Sequence, residues 1–319
     1  MTEKQNMRAV AITAFGGPDR LMLREMPRPI PGPDEVLIRV EAAGVGLWDA
    51  KVRRGQIGER SFPLILGWES TGIIEQTGAN VTGLMVGDAV YCYVPQVGHY
   101  AEYIAAPANL VARRPRSLDG VHVAAIPVNG LTAHQSITDE LGLRAGETVL
   151  ITAAAGATGS FAVQIAAHQG AHVIATASAR NHEYLRELGA REVIDYTTTD
   201  FVQAVRVVHP AGVDAVLDCI GGETVVRSLD ALRDGGRLAY IAEAANLPIS
   251  RGITARMVYG RPDAQRLTTL AQMVDAGQLS VHLDRTLPLE AAKHAHELVE
   301  EGHVRGKIVL TIDNGQSRS

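Results

Sequence analysis

Residues 147–167 read ETVLITAAAGATGSFAVQIAA, and the fold turns on how they are read. An apolar run, TVLI, passes through a turn of small residues into a stretch of helical period. In the G-x-G-x-x-G frame of dinucleotide-binding turns the three positions fall on Ala154, Gly156 and Gly159, with alanine replacing the first glycine. Gly156 lets the backbone approach a pyrophosphate, and Gly159 lets the helix pack closely on the strand. The backbone N–H groups of Ala157, Thr158 and Gly159 would open the helix and face an anion, backed by the positive end of the helix dipole. A ligand-free strand-to-helix turn is the competing reading of so short a motif. The strand that follows, HVIATA, completes a βαβ unit, and that context favours the nucleotide.

An NAD-selective unit places a carboxylate about 20 residues on, against the ribose 2′-hydroxyl. Here that position holds Thr176 or Ala177, and no acid appears until Glu183. Ser178 and Arg180 offer instead a hydroxyl and a fixed cation, suited to a 2′-phosphate. The expected cofactor is NADPH.

Working outward, the chain after about Val121 alternates short strands with alanine-rich helical stretches. EVIDY, DAVLDCI and GRLAYIA continue the series, which predicts a parallel sheet covered by helices on both faces. The earlier part reads differently. Runs such as VLIRVEAAG, STGIIEQTG and VGDAVYCYV are short and broken by glycine, which predicts a β-rich barrel or sandwich over roughly the first 120 residues. In VLIRVE, Val36, Ile38 and Val40 alternate with Leu37, Arg39 and Glu41, the period of a half-buried strand. The first six residues, MTEKQN, are polar and expected to be loose. The last apolar run, KIVLTI, is expected to return to the first domain's sheet.

The 319 residues suit two domains rather than one. A net charge of −5, with no basic block, points away from nucleic acid and anionic membranes. With two cysteines, Cys92 and Cys219, neither a disulfide framework nor a cysteine-rich zinc lobe is expected. Without an apparent signal peptide or an apolar run long enough to span a bilayer, the default expectation is a soluble cytoplasmic protein.

With the loop in place, flanking segments become recognisable. They are AAGVGLWDAKVRRG (42–55), FPLILGWESTGIIEQTGANVTGLMVGDAVY (62–91), GHYAEYIAAP (98–107), AGETVLITAAAGATG (145–159), VYGRPD (258–263) and HVRGKIVLTI (303–312). In this order the chain resembles the zinc-independent, quinone-reductase-like branch of the medium-chain dehydrogenase/reductase superfamily. The resemblance implies an α/β fold: a discontinuous GroES-like β-rich catalytic domain (1–124 and 264–319) and a doubly wound, Rossmann-type NADP-binding domain (125–263). It also implies a homodimer.

Zinc-dependent relatives carry a catalytic cysteine in G-x-C-x-x-D and a histidine in G-H-E. Here the cysteine position is Gly46 and the histidine position is Trp68. Glycine has no side chain, and an indole N–H donates without a lone pair for a metal, so the familiar zinc site cannot form. His294, His296 and His303 are expected on an exposed helix, where i,i+2 residues such as His294 and His296 do not share a face, and no other metal site is expected. Cys92 and Cys219 read as small packing residues.

Reducing an isolated carbonyl benefits from a Lewis acid. Without one, the easier hydride acceptor is a quinone or an α,β-unsaturated carbonyl, which spreads the charge by conjugation. By resemblance, Gly156–Gly159 would hold the pyrophosphate, and Ser178, Arg180 and Tyr196 the 2′-phosphate, although Tyr196 equally suits core packing. Thr132, Gly221, Gly222, Ala242, Glu243, Val258 and Tyr259 would line the cofactor. For the acceptor, Trp48 is either a stacking wall or a space filler, and Lys51 either a proton donor or an ordinary exposed lysine. No catalytic residue is assigned. An enoyl-thioester or alkenal reductase, or a non-catalytic NADPH-binding protein, remain the alternatives.

Overall fold

The computed structural model describes residues 5–95, 97–244 and 246–313, and the chain divides into two compact units. The first comprises the chain up to Val128, Pro262–Ala276 and the chain from Val281 onward. The second comprises Asn129–Arg261 with Gly277–Ser280. Of the six N-terminal residues expected to be loose, the first four lie outside the described residues, and Asn6 already begins a strand.

The first unit runs through β1 (Asn6–Ile12), β2 (Met22–Pro27), β3 (Glu35–Val45), the short helix α1 (Leu47–Arg53), β4 (Leu64–Ile65) and β5 (Glu69–Thr77). It continues through β6 (Ala89–Tyr93), β7 (Tyr103–Pro107), β8 (Val111–Arg113) and α2 (Gly120–Val123). β1 pairs antiparallel with both β2 and β4 in a small sheet. β3 is the spine of the larger sheet, antiparallel to β5 and β7. Val36, Ile38 and Val40 fill the core as the alternation predicts. Leu37, expected on the half-exposed side, is 1% exposed, so this spine is covered on its second face there too.

After α3 (Pro127–Gln135), the second unit lays down β9 (Thr148–Ile151), α4 (Ala157–His168), β10 (His172–Ala177), α5 (His182–Glu187) and β11 (Glu192–Asp195). It then adds α6 (Phe201–Val208), β12 (Val213–Asp218), α7 (Glu223–Ala231), β13 (Leu232–Tyr240) and β14 (Thr254–Met257). All six strands are parallel, in the order β11-β10-β9-β12-β13-β14. This is a doubly wound sheet that reverses direction between β9 and β12, and such a switch point opens a crevice beyond the strands' carboxyl ends. Leu150, Ile174 and Val216 pack with α6 and α7 residues on one face. Val149 and Ile151 project to the other and are also fully buried, which requires helices on both faces.

The chain then returns to the first unit through α8 (Ala264–Asp275), β15 (Leu283–Pro288), α9 (Ala292–Glu301) and β16 (Lys307–Thr311). The Tyr91 hydroxyl holds α8 by donating to the Leu267 carbonyl. β16 lies antiparallel to β3, with Val309 opposite Gly44 and Ile308 opposite Val45, and it seats Lys307 inside the first unit. Among the described residues no helix is long and apolar enough to cross a membrane.

Candidate active site

The turn after β9 is built as its residues require. Ala153 adopts a positive φ of 45°, a conformation that favours glycine, and its carbonyl accepts from the Gly156 N–H at 3.0 Å. The Ala154 N–H donates to the Thr176 carbonyl at 3.1 Å, tying the turn to β10. Gly156 is the N-cap of α4 in ordinary extended conformation, with no side chain capping the helix. A methyl group there would stand only 3.3 Å from the Ala153 carbonyl, so this glycine keeps the approach to the helix end clear. At Gly159 a methyl group would meet the Ala153 carbonyl at 2.6 Å and the Ala154 Cα at 2.7 Å. That glycine sets the strand–helix contact.

An uncapped N-terminus on a twelve-residue helix, approached over a glycine, fits a pyrophosphate. Thr158 is 6% exposed, and its hydroxyl accepts from Asn129 Nδ2 at 2.8 Å, which leaves its backbone N–H as the group it would offer an anion. Asn129 had no signal in the motif.

Most of the other expected cofactor positions lie on the rim beyond the strand ends. Ser178 follows β10 and begins a single 3-10 turn, Ala179–Asn181, that carries the exposed Arg180. Tyr196 follows β11 and is 50% exposed, so core packing is not its role. Asp195, opposite Ala177 in the β10–β11 register, brings a carboxylate to this rim that a reading along β10 alone misses. It accepts from the Thr197 hydroxyl and N–H and from the Ala179 N–H, which together hold it below the usual carboxylate range.

Gly221 and Gly222 follow β12 with φ of 90° and 58°. A methyl group on Gly221 would stand 2.8 Å from the Ala242 Cβ, and the Gly222 N–H donates to the Glu243 carbonyl at 2.8 Å, so the loops after β12 and β13 interlock. Asp218 pins the first of them by accepting from Ile220 and Gly221. After β14, Val258 packs inward at 5% exposure while Tyr259 is 58% exposed. The adjoining Gly260 lies against the Thr132 hydroxyl, which joins the α3 position to this segment.

In the first unit, the region matching the lost zinc site holds a buried charge cluster. Lys307 Nζ is 2.6 Å from Glu69 Oε1, with side chains 6% and 2% exposed. Glu69 Oε2 accepts from the Val128 N–H at 2.7 Å. A methyl group added to Gly46 would stand 3.5 Å from Lys307 Nζ, so an ammonium occupies the space beside the absent thiolate. Asp49 accepts from the N–H groups of Gly46 at 2.8 Å and Gly67 at 3.1 Å. Burial pushes its carboxyl up to about 7 despite these bonds and the nearby Lys307.

Trp48 packs edge-on to Trp68 at 6.3 Å between centroids, and Trp68 in turn meets Tyr93 at 6.3 Å. Lys51 Nζ stands 5.7 Å from the Trp48 ring centroid. Trp68 has thus replaced a ligand with the centre of an aromatic wall. Tyr93, at the end of β6, was not singled out from the sequence. Burial, with Glu69 and Asp49 adding, raises its phenol to about 12.

The C-terminal histidines differ from expectation. His296 is fully buried, with Nδ1 3.0 Å from Arg53 Nη1 and Nε2 3.3 Å from the Tyr100 hydroxyl, and His303 lies beyond the end of α9. Only His294 is an exposed helix position.

Comparison with known proteins agrees with this architecture. Residues 32–116 match the alcohol dehydrogenase GroES-like domain, and residues 188–310 match a family described as zinc-binding dehydrogenase. A 2-haloacrylate reductase from Burkholderia sp is 33% identical, covering 95% of this chain and 98% of that protein. The quinone oxidoreductase from Coxiella burnetii superposes with a TM-score of 0.89 at 31% identity, covering 97% of this chain and all of that one. The Escherichia coli quinone oxidoreductase complexed with NADPH superposes with a TM-score of 0.88 at 26% identity, covering 95% and 99%. With Gly46 and Trp68 where zinc ligands would stand, the chain belongs to the zinc-independent, quinone-oxidoreductase-like branch of the medium-chain dehydrogenase/reductase superfamily.

Proposed function

We propose that this protein is an NADPH-dependent oxidoreductase that reduces a quinone or another α,β-unsaturated carbonyl. The observation that carries the reading is the exchange at the former metal site: Gly46 and Trp68 offer no ligand, and Lys307 paired to Glu69 fills the space beside Gly46. When bound, the nicotinamide supplies the hydride. The uncapped α4 terminus and Gly156 hold the pyrophosphate, while Ser178 and Arg180 take the 2′-phosphate, with Tyr196 beside them. Tyr259, Val258 and Thr132 flank the nicotinamide end.

A conjugated acceptor needs no metal on its oxygen, because the added charge is shared across the conjugated system until a proton arrives. The chain's task is then to position the acceptor and exclude water. Trp48, backed by Trp68 and Tyr93, supplies a flat apolar wall for such an acceptor. The similarity to quinone oxidoreductases supports this assignment. A second reading, reduction of a carbon–carbon double bond conjugated to a carboxyl-derived group, is favoured by the similarity to a 2-haloacrylate reductase.

Purified protein mixed with NADPH and a panel of quinones, enones and acrylates tests both, with loss of the reduced cofactor's absorbance as readout. Turnover of quinones supports the first reading, and turnover of acrylates alone the second. NADPH binding without turnover of any acceptor would leave a non-catalytic cofactor-binding protein.

A further inference from the structure

At the opposite end of the second unit's sheet from the cofactor positions, three side chains from three elements converge. His172 opens β10, Glu192 opens β11, and His209 is the residue on which α6 ends. The register pairs Ile174 with Glu192, so His172, two residues earlier in its strand, projects from the same face as Glu192. His172 Nε2 lies 2.6 Å from Glu192 Oε1, and His209 Nε2 lies 3.7 Å from the same oxygen. The two imidazoles meet edge to face at 5.7 Å, and one ligand atom from each of the three residues falls within 4.8 Å of the others.

Two features separate this cluster from an ordinary surface ion pair. The side chains are only 25–33% exposed, and the backbone fixes two of them: the His172 N–H donates to Glu147, and the His209 N–H donates to Val205. His209 Nε2 is also a buried polar atom with no hydrogen-bond partner among the described residues, although it faces the carboxylate. A group that accepts a lone pair from each imidazole and from the carboxylate would satisfy all three at once.

We propose that His172, Glu192 and His209 form a binding site for one divalent transition-metal ion of the zinc class. Two imidazole nitrogens and one carboxylate oxygen are a donor set that zinc, cobalt and nickel accept. In a tetrahedral site with bonds of about 2.0–2.1 Å the ligand atoms stand about 3.4 Å apart, a value between the 2.6 and 3.7 Å that now separate the Glu192 oxygen from the two imidazoles. Three protein ligands leave a position for water. The site is roughly 17 Å from the carboxyl end of β10, taking about 3.3 Å per residue, so the ion would staple β10, β11 and α6 rather than touch the hydride-transfer chemistry. Nothing in the separation of these residues along the chain signals a shared site, and the sequence-based expectation named no metal ligands there.

Titration of the untagged protein with Co²⁺ alone, followed by calorimetry and visible absorption, tests this. One equivalent per chain is expected, with the ring signals of His172 and His209 shifting first in the proton NMR spectrum of the unmodified protein. His209→Ala and Glu192→Gln should each weaken binding at least about tenfold, and Zn²⁺ should raise the melting temperature of the parent but not of these variants. His294→Ala, altering an exposed histidine on α9, should bind as the parent does. Circular dichroism establishes that each variant is folded, and the NMR result stands without any variant. Absence of saturable binding below millimolar Co²⁺, or equal binding by the folded variants, would overturn the assignment. Neither result bears on quinone turnover, which is measured separately.

Discussion

Lys307 Nζ stands 2.6 Å from Glu69 Oε1, and together they bring the last strand and the fifth into a buried ion pair beside Gly46. Removing the lysine alone strands a carboxylate in the interior. Lys307→Met should therefore lower the unfolding free energy by about 3–5 kcal/mol. Adding Glu69→Gln should recover at least half of that loss, since the stranded Glu69 carboxylate is then gone. Urea denaturation of the two single variants and the double variant measures the coupling. Strictly additive losses would show that the pair does not act as a unit.

The two glycines of the nucleotide turn have separable roles. Gly156→Ala introduces a 3.3 Å contact with the Ala153 carbonyl and needs no unusual backbone, so stability should fall by about 1 kcal/mol or less. Gly159→Ala drives a methyl group to 2.6 Å from the same carbonyl and 2.7 Å from a Cα, which should cost about 1–3 kcal/mol. Both should weaken NADPH binding. Thermal unfolding alongside cofactor-fluorescence titration resolves the two effects, and equal stability of the variants would refute the packing role given to Gly159.

Arg180 is exposed on the turn after β10 and is assigned to the 2′-phosphate. A hydrogen bond between charged groups is worth about 1.5–3 kcal/mol. Arg180→Ala should then weaken NADPH binding about tenfold to a hundredfold while leaving NADH nearly unchanged. Parallel titrations with the two cofactors decide it. Equal losses for both, or a parent protein with no preference, would remove the assignment, and Asp195 would become the more informative rim residue.

Burial, with Arg53 beside it, lowers His296 to about 3 from an ordinary 6.5. The folded protein therefore binds fewer protons than the unfolded chain between those values. The stability this histidine contributes is complete above about pH 6.5 and is lost as pH falls toward 3, with a slope of up to about 1.4 kcal/mol per unit. Denaturation midpoints of the parent and His296→Gln from pH 7 to pH 4 should converge as the solution is acidified. A constant difference would mean that His296 titrates alike in both states. Asp49 works in the opposite sense. Its carboxyl is raised from 3.8 to about 7, so its contribution to stability declines as pH rises through that window.

The nucleotide turn was legible because its physics is local: a glycine at the approach, a glycine at the helix contact and free N–H groups lie within a few residues of one another. The lost metal site was legible because it depends on residue identity at Gly46 and Trp68. What replaced it was not, since Lys307 reaches Glu69 only after β16 returns to β3. The burial of His296 also had a readable signal in the sequence. Ala292, Ala295, His296 and Val299 repeat at helical spacing and form the buried stripe of α9. His172, Glu192 and His209, by contrast, are assembled by two successive βα units, and no local period marks them.

Hydride is proposed to reach a conjugated acceptor here without a metal ion. Steady-state oxidation of NADPH by a quinone, measured on protein stripped of metal and assayed in excess chelator, tests it most directly. The rate is expected to equal that of untreated protein, with or without the His209→Ala substitution. A rate abolished by stripping and restored by zinc would contradict it.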